Sequence, residues 1–281
     1  MFPMHTNSSR ITWERMPYSP AALPRADHQT MTRFPFQLAA ASVLLLAIAG
    51  PAAADSPGPL RGADVKGPLG DERLSDERTV TRVGRPARIY KIRSGPGRHH
   101  HTIGKLRFLT EDHAPENYLV LRSKLVRGRH PWLQIRVPRR PNGSKGWVPR
   151  AALGKLRVLT TSLEIDKRRL KGRLFEDGKE IWTSSIGVGA PGTPTPNGRY
   201  WIRERLSNVG GNPAYGPLAF GTAAYSRLSE WPGGGVIGIH GTNAPGLIPG
   251  RPSHGCIRVP NARILKLDKL MPVGTPVWIH D

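Results

Sequence analysis

Short runs of alternating apolar and polar residues fill the middle of the chain. Between residues 84 and 155, runs such as ARIYKI, NYLVLRSKLV and WLQIRV are separated by turn sequences such as SGPG and PNGS. Alternation bounded by Gly and Pro predicts half-buried β-strands. Trp132 and Trp147 suit the interior of such a unit. We therefore predict a small, strongly bent β-barrel over residues 84–155.

Residues 156–281 have the pattern of a second β-rich unit. The segment LEIDKRRLKGRLFEDGKEIWTSSIGVG predicts two strands joined at an Asp-Gly turn. The apolar run VIGIHG predicts a strand that ends at His240, and apolar residues at helical spacing predict the main helix from about Pro260 to Leu270. Several strands, one main helix and many Gly and Pro turns indicate a mainly β fold, either a β-sandwich or a half-open barrel.

The N-terminal part has a different composition. After Met31 the chain has a basic residue, Arg33, then a 12-residue apolar core over 38–49 and a run of small residues at 52–54. This is the pattern of a secretory signal peptide, and the core is shorter than the roughly 20 residues of a membrane span. We predict an N-terminal extension and signal peptide over residues 1–54, with Met31 as the true start. The protein would be exported to the periplasm or cell wall, or anchored in the membrane if the segment is not cleaved.

Residues 55–83 are rich in Gly, Pro and charged residues and contain few apolar ones. Such a segment has little to bury, so we predict a flexible linker between the signal peptide and the first β-rich unit.

The net charge of +22 is concentrated in the first β-rich unit. Residues 84–155 contain 17 Lys and Arg against 3 Asp and Glu. A field of this sign attracts nucleic acid, acidic membranes or acidic wall polymers. Predicted export argues against nucleic acid, so anionic cell-wall polymers are the expected partners of this basic unit.

The stretch SHGCIR contains the single cysteine of the chain, Cys256. A lone cysteine in an exported protein is either a buried, inert thiol or a reactive one. His240 lies 16 residues earlier, and a loop of that length can bring its imidazole beside the thiol. A neighbouring imidazole lowers the pKa of a thiol and makes it a nucleophile. Gly255 permits a sharp turn, and the amides of Gly255 and Cys256 could together stabilise an oxyanion.

These motifs resemble the L,D-transpeptidase family with its YkuD-type catalytic domain. The residues that carry the resemblance are HGT at 240–242, SHGCIR at 253–258 and Asn261, within a framework of IGVGAPGTPTPNGRYWI and PVGTPVWI. The similarity covers about residues 157–280. It implies an L,D-transpeptidase-type β-sandwich or half-barrel with one main helix as the catalytic domain over residues 156–281.

The preceding unit also resembles a known kind of domain. Its RSGPG run and its later GWV are similar to bacterial SH3-like domains, which often accompany cell-wall enzymes. We therefore expect an SH3-like basic β domain over residues 84–155.

The family resemblance implies a specific reaction. L,D-transpeptidases attack a peptidoglycan stem tetrapeptide, release D-Ala, hold the acyl group as a cysteine thioester and transfer it to an amine to make 3→3 cross-links. By resemblance, Cys256 would be the nucleophile and His240 the general base, and His254 would shape the pocket and the oxyanion region. Ser253 or the carbonyl of Gly241 would orient the imidazole. No cofactor is implied, and carbapenem β-lactams are expected inhibitors.

Three residues are candidates for substrate binding: Arg258, Gly241 and Tyr225. Arg258 places positive charge two residues after the cysteine, where it could meet a thiolate or a substrate carboxylate, or could pair with Asp268 or a backbone carbonyl. Tyr225 belongs to the aromatic residues that could line the groove or could anchor the core. Asn261 fits the start of a helix better than a catalytic role.

Three alternatives stay open at the level of the sequence. The same acyl-enzyme, resolved by water, would make the protein an L,D-carboxypeptidase or an endopeptidase. His240, His254 and Cys256 are also residue types that bind Zn²⁺. A non-catalytic wall-binding protein, acting through its basic β domain, is the third alternative.

Overall fold

The structure is a computed structural model that describes residues 60–62, 67–207, 209–230 and 232–281. The predicted extension and signal peptide over residues 1–54 lie outside the described residues. Within them, the strands form two sheets accompanied by a single α-helix. That helix is too short and too polar to cross a membrane.

The first sheet is antiparallel and is built from the alternating runs in the middle of the chain. Its strands are β1 (Glu72–Arg73), β2 (Thr81–Gly84), β3 (Lys91–Arg93), β4 (Thr102–Lys105), β5 (Tyr118–Val126), β6 (His130–Arg136), β7 (Lys145–Pro149) and β8 (Arg157–Leu159). They are ordered β4-β3-β7-β6-β5-β2-β8, and β1 pairs with β5. Leu133, Ile135 and Val148 are among the side chains buried in its core. That this unit is SH3-like stays a prediction.

The predicted linker over residues 55–83 differs from the structure in its second half. Both β1 and β2 lie there, and the side chains of Leu74 and Val83 are buried. The Asp76 carboxylate accepts hydrogen bonds from three backbone N–H groups of the turn between these strands. The linker prediction is wrong for this part, because its few apolar residues pack into the two cores and its backbone pairs with β5 and β8.

The second sheet curls into a half-barrel, and the mainly β fold with one main helix is confirmed. Its strands are β9 (Thr161–Asp166), β10 (Lys171–Glu176), β11 (Lys179–Ser185), β12 (Gly187–Gly189), β13 (Gly198–Ser207), β14 (Leu218–Tyr225), β15 (Val236–His240), β16 (Gly250–Ser253), β17 (Ile257–Arg258) and β18 (Pro276–His280). They are ordered β11-β10-β9-β18-β13-β14-β15-β17-β12-β16. The predicted Asp-Gly turn joins β10 and β11, with positive φ at both Asp177 and Gly178.

The helix α1 spans Asn261–Leu270 and follows Pro260 directly, as the sequence predicts. Proline suits this position because it has no N–H to leave unpaired and its φ is already that of a helix. Ile264 and Leu267 are fully buried against the second sheet. The helix therefore holds the end of the strand that follows the cysteine against the core.

Buried polar contacts join the two sheets. Arg203 on β13 and Glu116, which precedes β5, are both fully buried and form an ion pair, with Arg203 Nε donating to Glu116 Oε1 at 3.1 Å. Asn117 donates to the carbonyl of Arg203 at 2.7 Å, and the Trp201 indole N–H donates to the carbonyl of Asn117 at 3.0 Å. Since these groups are closed off from water, they fix one sheet against the other.

Candidate active site

Two neighbouring parallel strands, β15 and β17, position the histidine and the cysteine. In their register Ile239 lies opposite Ile257 and His240 lies opposite Arg258. Side chains of alternate residues share one face of a sheet, so Arg258 and His240 project from the same face, and Cys256 precedes β17 on that side. A side chain added at Gly238 would lie 3.8 Å from His240 Cδ2 and 4.0 Å from Cys256 Sγ. The imidazole and the thiol therefore border the same small space.

Gly238 supplies a backbone contact to the sulfur. Its N–H donates a hydrogen bond to Cys256 Sγ at 3.4 Å. An N–H that points at sulfur stabilises negative charge there. The glycine also leaves open the space between the imidazole and the thiol, which any side chain would occupy.

The electrostatic environment favours the uncharged forms of both groups. Burial raises the pKa of the Cys256 thiol, although the Gly238 N–H and the charge of Arg258 act in the opposite direction. Burial also lowers the pKa of His240, to about 4, with a further decrease from Arg258. Desolvation disfavours both charges, so burial acts against the lowered thiol pKa that the sequence predicts.

The carbonyl of Gly241 orients the imidazole. His240 Nδ1 lies 2.6 Å from the Gly241 carbonyl oxygen. A carbonyl only accepts hydrogen bonds, so Nδ1 carries the proton and Nε2 is left as the basic nitrogen. Of the two orienting groups that the sequence suggested, Gly241 holds the imidazole. That Gly241 also binds substrate stays a prediction.

Ser253 has a different partner from the one expected. Its hydroxyl donates to the carbonyl of Cys256 at 2.6 Å and accepts from the N–H of Gly255 at 3.1 Å. The role of orienting the imidazole is therefore wrong for Ser253, because both hydrogen bonds are used within its own turn. This buried serine closes the turn that presents the cysteine.

The turn itself requires glycine at position 255. Gly255 has φ +126°, and a Cβ there would lie 2.7 Å from Ile237 Cδ1. Because its N–H is bound to Ser253, the expected pair of oxyanion donors is wrong for Gly255, and the Cys256 N–H remains the candidate donor. His254 is exposed, and its carbonyl accepts from the hydroxyl of Ser226 at 3.5 Å.

Two further residues, Thr195 and Asn261, also hold this turn and the strand end. The buried Thr195 hydroxyl donates to the carbonyl of Gly255 at 2.7 Å and accepts from the N–H of Gly189 at 2.9 Å. Asn261, the first residue of α1, accepts from the N–H of Thr242 at 2.8 Å and so holds the backbone that follows His240. The TPTPNG run marks Thr195 in the sequence as part of a turn. It does not indicate the contact with Gly255, because that residue is 60 positions away.

Tyr215 packs on the candidate base. It ends a short 3₁₀ helix, Pro213–Tyr215, and its ring centroid lies 4.8 Å from that of His240. Burial, followed by the proximity of Cys256, raises the pKa of the Tyr215 hydroxyl, so this side chain also borders the thiol. No motif marks Tyr215 in the sequence, where it is one of several aromatic residues.

The other two candidates for substrate binding lie in different places. Arg258 does not pair with Asp268, which is bound by Arg205 at 2.7 Å, and its Nε is buried without a hydrogen-bond partner among the described residues. Its charge acts on both Cys256 and His240. Tyr225 instead lies buried at the junction of the two sheets, where its hydroxyl donates to the carbonyl of Pro138 at 3.1 Å.

The chemistry available at the site is that of a thiol and an imidazole. Among the described residues, no three His, Cys, Asp or Glu side chains are grouped as metal ligands would be. A histidine with a free Nε2, a thiol bordering the same space and a positive charge on the same face can carry out nucleophilic acyl transfer.

Known sequences resemble part of this chain. Residues 160–279 match the family model of the YkuD L,D-transpeptidase catalytic domain. Two Bacillus proteins that carry the provisional name L,D-transpeptidase YkuD are similar to part of this chain. The B. licheniformis protein is 39% identical over 107 residues, which are 38% of this chain and 58% of the relative. The B. subtilis protein is 39% identical over 98 residues, which are 35% of this chain and 52% of the relative. The chain thus spans about half the length of these relatives.

Solved structures of L,D-transpeptidases also match part of the chain. The catalytic domain of the E. faecium L,D-transpeptidase is 23% identical to the matched part. The match covers 43% of this chain and 96% of the E. faecium domain, with a TM-score of 0.32. The Mycobacterium smegmatis enzyme is 13% identical and covers 54% of this chain and 91% of that one, with a TM-score of 0.36. In sequence, residues 160–279 thus match the YkuD L,D-transpeptidase catalytic domain, and this segment is similar to the two Bacillus proteins.

Proposed function

We propose that this protein is an exported cysteine L,D-transpeptidase. It forms a thioester between Cys256 and a peptidoglycan stem tetrapeptide, releases D-Ala, and transfers the acyl group to an amine to make 3→3 cross-links. The observation that carries the proposal is the shared space of the Cys256 thiol and the His240 imidazole beside Gly238.

The first half-reaction begins from the uncharged pair. His240 Nε2 takes the thiol proton as Sγ attacks the carbonyl carbon of the third stem residue. The negative charge moves to the carbonyl oxygen, where the Cys256 N–H is available to stabilise it. The tetrahedral intermediate then breaks its bond to the D-Ala nitrogen, and His240 gives its proton to this amine. A thioester and free D-Ala result.

The second half-reaction uses the same groups in the reverse direction. The acceptor amine attacks the thioester carbonyl and loses a proton to His240 Nε2. The C–S bond breaks, and the sulfur regains the proton from the imidazole. A new amide joins the two stems, and the enzyme returns to its starting state. The thioester conserves the energy of the broken amide, so the reaction needs no ATP.

Location and inhibition form part of the same proposal. Export is supported by the signal-peptide pattern over residues 31–54, and anionic wall polymers are proposed partners of the basic first sheet. Carbapenem β-lactams contain a reactive carbonyl that Cys256 would attack in place of the stem peptide. The acylated cysteine would then be unable to accept substrate.

The decisive experiment compares the wild-type protein with Cys256→Ser and His240→Gln. Each protein is incubated with purified tetrapeptide muropeptides, and products are identified by mass spectrometry. We expect cross-linked dimers and a thioester adduct on the Cys256 peptide with the wild type alone. Lys266→Gln, an exposed helix variant, is the matched control and should behave as wild type.

Other outcomes would assign a different function. Shortened monomers without dimers would identify an L,D-carboxypeptidase, since water would then resolve the same acyl-enzyme. Full cross-linking by Cys256→Ser would refute the catalytic assignment. Wall binding without any product or adduct would leave the protein as a non-catalytic wall-binding protein.

A further inference from the structure

One face of the first sheet carries a row of cationic and aromatic side chains. The register of β3, β7, β6, β5 and β1 places five residues directly opposite one another in turn: Arg93, Trp147, Gln134, Arg122 and Arg73. Residues that lie directly opposite share one face of a sheet. The side chains that alternate with this row along the strands, such as Leu133 and Val148, belong to the apolar core on the other face.

Like charges lie directly opposite one another at three places on this face. The pairs are Lys91 with Lys105, Arg136 with Lys145, and Arg73 with Arg122. The side chains of such a pair are about 5 Å apart, and like charges there destabilise a sheet. An anion bound between the strands would offset this cost. The three pairs and the row define the basic face.

The lysines of these pairs have no carboxylate partner. Lys91, Lys105 and Lys145 are exposed, and none of them forms an ion pair with a residue that the structure describes. Glu77 accepts a hydrogen bond from Arg136 Nη2 at 2.8 Å. It therefore neutralises that arginine and leaves the ammonium of Lys145, on the opposite strand, without a counterion among the described residues.

Two arginines of the basic face have hydrogen-bonding capacity left. Arg93 Nη1 donates to the carbonyl of His100 at 3.1 Å and to the hydroxyl of Thr102 at 3.0 Å, and neither acceptor neutralises its charge. The Nε atoms of Arg93 and Arg73 are buried and have no hydrogen-bond partner among the described residues. Buried donors in folded proteins are nearly always paired, so these two are available to an acceptor from outside the chain.

Two indole rings lie beneath the cations. Trp132 and Trp147 are buried on the basic face, yet neither belongs to the apolar core clusters. The guanidinium of Arg122 lies 5.9 Å from the Trp147 ring centroid, and Tyr90 packs edge-on against Trp132 at 6.4 Å. The rings support the cationic side chains from below. None of the exposed large apolar side chains in the described part of the chain belongs to the strands of this face, so it offers nothing to insert into a lipid bilayer.

We propose that the basic face binds a linear phosphodiester polymer of the cell envelope. The location in the envelope rests on the proposed function, whereas the binding itself requires no catalysis. Each diester carries one fixed negative charge and two free oxygens, so a single group can accept hydrogen bonds from both members of a like-charge pair. The pairs are spread over the five strand spacings from β4 to β1, about 24 Å along the sheet. This distribution suits a chain of repeated charges better than one small anion.

The test measures binding of purified poly(glycerol phosphate) to the full chain by calorimetry at several salt concentrations. Lys91→Gln/Lys105→Gln should weaken binding about tenfold, because two phosphate contacts are lost. The slope of log K against log salt concentration should become shallower by about 1.4, at about 0.7 for each contact. Lys171→Gln/Lys179→Gln removes two exposed lysines from β10 and β11 of the second sheet. It is the matched control and should change neither quantity.

A further variant separates ligand binding from the properties of a solvated surface. Lys105→Glu creates an opposite-charge pair with Lys91, so it should raise the midpoint of urea denaturation and at the same time weaken polymer binding. A gain in stability without loss of binding, or equal losses of binding in the two double variants, would overturn the proposal.

Anionic phospholipid vesicles provide the remaining comparison. We expect the wild type to bind the polymer more tightly than vesicles at equal phosphate concentration. Tighter binding to vesicles, weakened in Lys91→Gln/Lys105→Gln, would overturn the polymer in favour of a membrane surface. Cross-linking by the wild type bears on the proposed function alone, because these affinities are measured without catalysis.

Discussion

The stability of the junction between the sheets should depend on one buried arginine far more than on a similar exposed one. Arg203 and Arg205 both lie on β13, and each pairs with a carboxylate. Arg203 and its partner Glu116 are 0% exposed, whereas Arg205 is 45% exposed and its partner Asp268 is 18% exposed. The two positions therefore allow the same substitution, Arg to Met, to be compared in buried and exposed surroundings.

The expected magnitudes follow from what each substitution leaves behind. Arg203→Met leaves the buried carboxylate of Glu116 without its main partner, and breaking a buried pair in this way costs about 3–5 kcal/mol. Arg107 lies 3.6 Å from Glu116 and compensates in part, so we expect the low end, about 3 kcal/mol. Arg205→Met leaves Asp268 accessible to water and should cost about 1 kcal/mol or less.

Urea denaturation of the purified variants, followed by tryptophan fluorescence, measures both costs. The double variant Arg203→Met/Glu116→Leu should be more stable than Arg203→Met, because it removes the orphaned carboxylate as well. Equal costs at Arg203 and Arg205 would refute the reasoning. The reasoning would also be refuted if the stability lost in the double variant equalled the sum of the losses in Arg203→Met and Glu116→Leu. The two charges would then not be coupled.

Three further predictions follow from local environments. Burial raises the pKa of Glu204 from 4.5 to about 7, so between these pH values the folded protein keeps a proton that the unfolded chain has released. The free energy of unfolding should therefore fall as the pH rises from 4.5 to 7. In Glu204→Gln the midpoint of urea denaturation should no longer fall over this range. Because burial raises the pKa of Cys256, its alkylation by iodoacetamide should accelerate steadily above pH 8; a rate already maximal at pH 6 would contradict this. Gly255→Ala should destabilise the protein by about 1–3 kcal/mol and slow acylation by a carbapenem, whereas Gly246→Ala, which meets no neighbour within 4 Å, should do neither.

The regular part of the fold could be predicted because it depends on local patterns. Alternating residues in β5 and β6 and the Asp-Gly turn after β10 are sufficient to predict strands and a hairpin. The strands β1 and β2 could not be predicted in this way. They are short, polar and rich in charge, and Leu74 and Val83 are buried only because distant strands pair with this segment. A composition that favours a linker was overridden by non-local pairing.

The candidate site shows the same division. Cys256 and His240 could be predicted because their motifs are local, and the loop between them is short enough to bring them together. Thr195 could not, and Tyr215 could not be told apart from the other aromatic residues that could line the groove, since the contacts of both with the site arise from the folding of distant segments. The direction of the pKa shifts was also beyond the sequence. A nearby imidazole suggests an ion pair, but the degree of burial decides whether charge separation is stable.

Arg258 should control how charge is distributed during acyl transfer. Its guanidinium lowers the pKa of the Cys256 thiol and also lowers that of His240, so it favours negative charge on sulfur and disfavours the imidazolium. Both effects help the proton move on to the leaving amine once the sulfur has attacked. Arg258→Gln should therefore raise the pKa of His240 above about 4 in an NMR titration of its ring protons and should slow acylation of Cys256 by a carbapenem. If Arg258→Gln changes neither the acylation rate nor the titration of His240, the charge of Arg258 has no effect on the thiol or the imidazole. The side chain opposite His240 would then contribute only to packing.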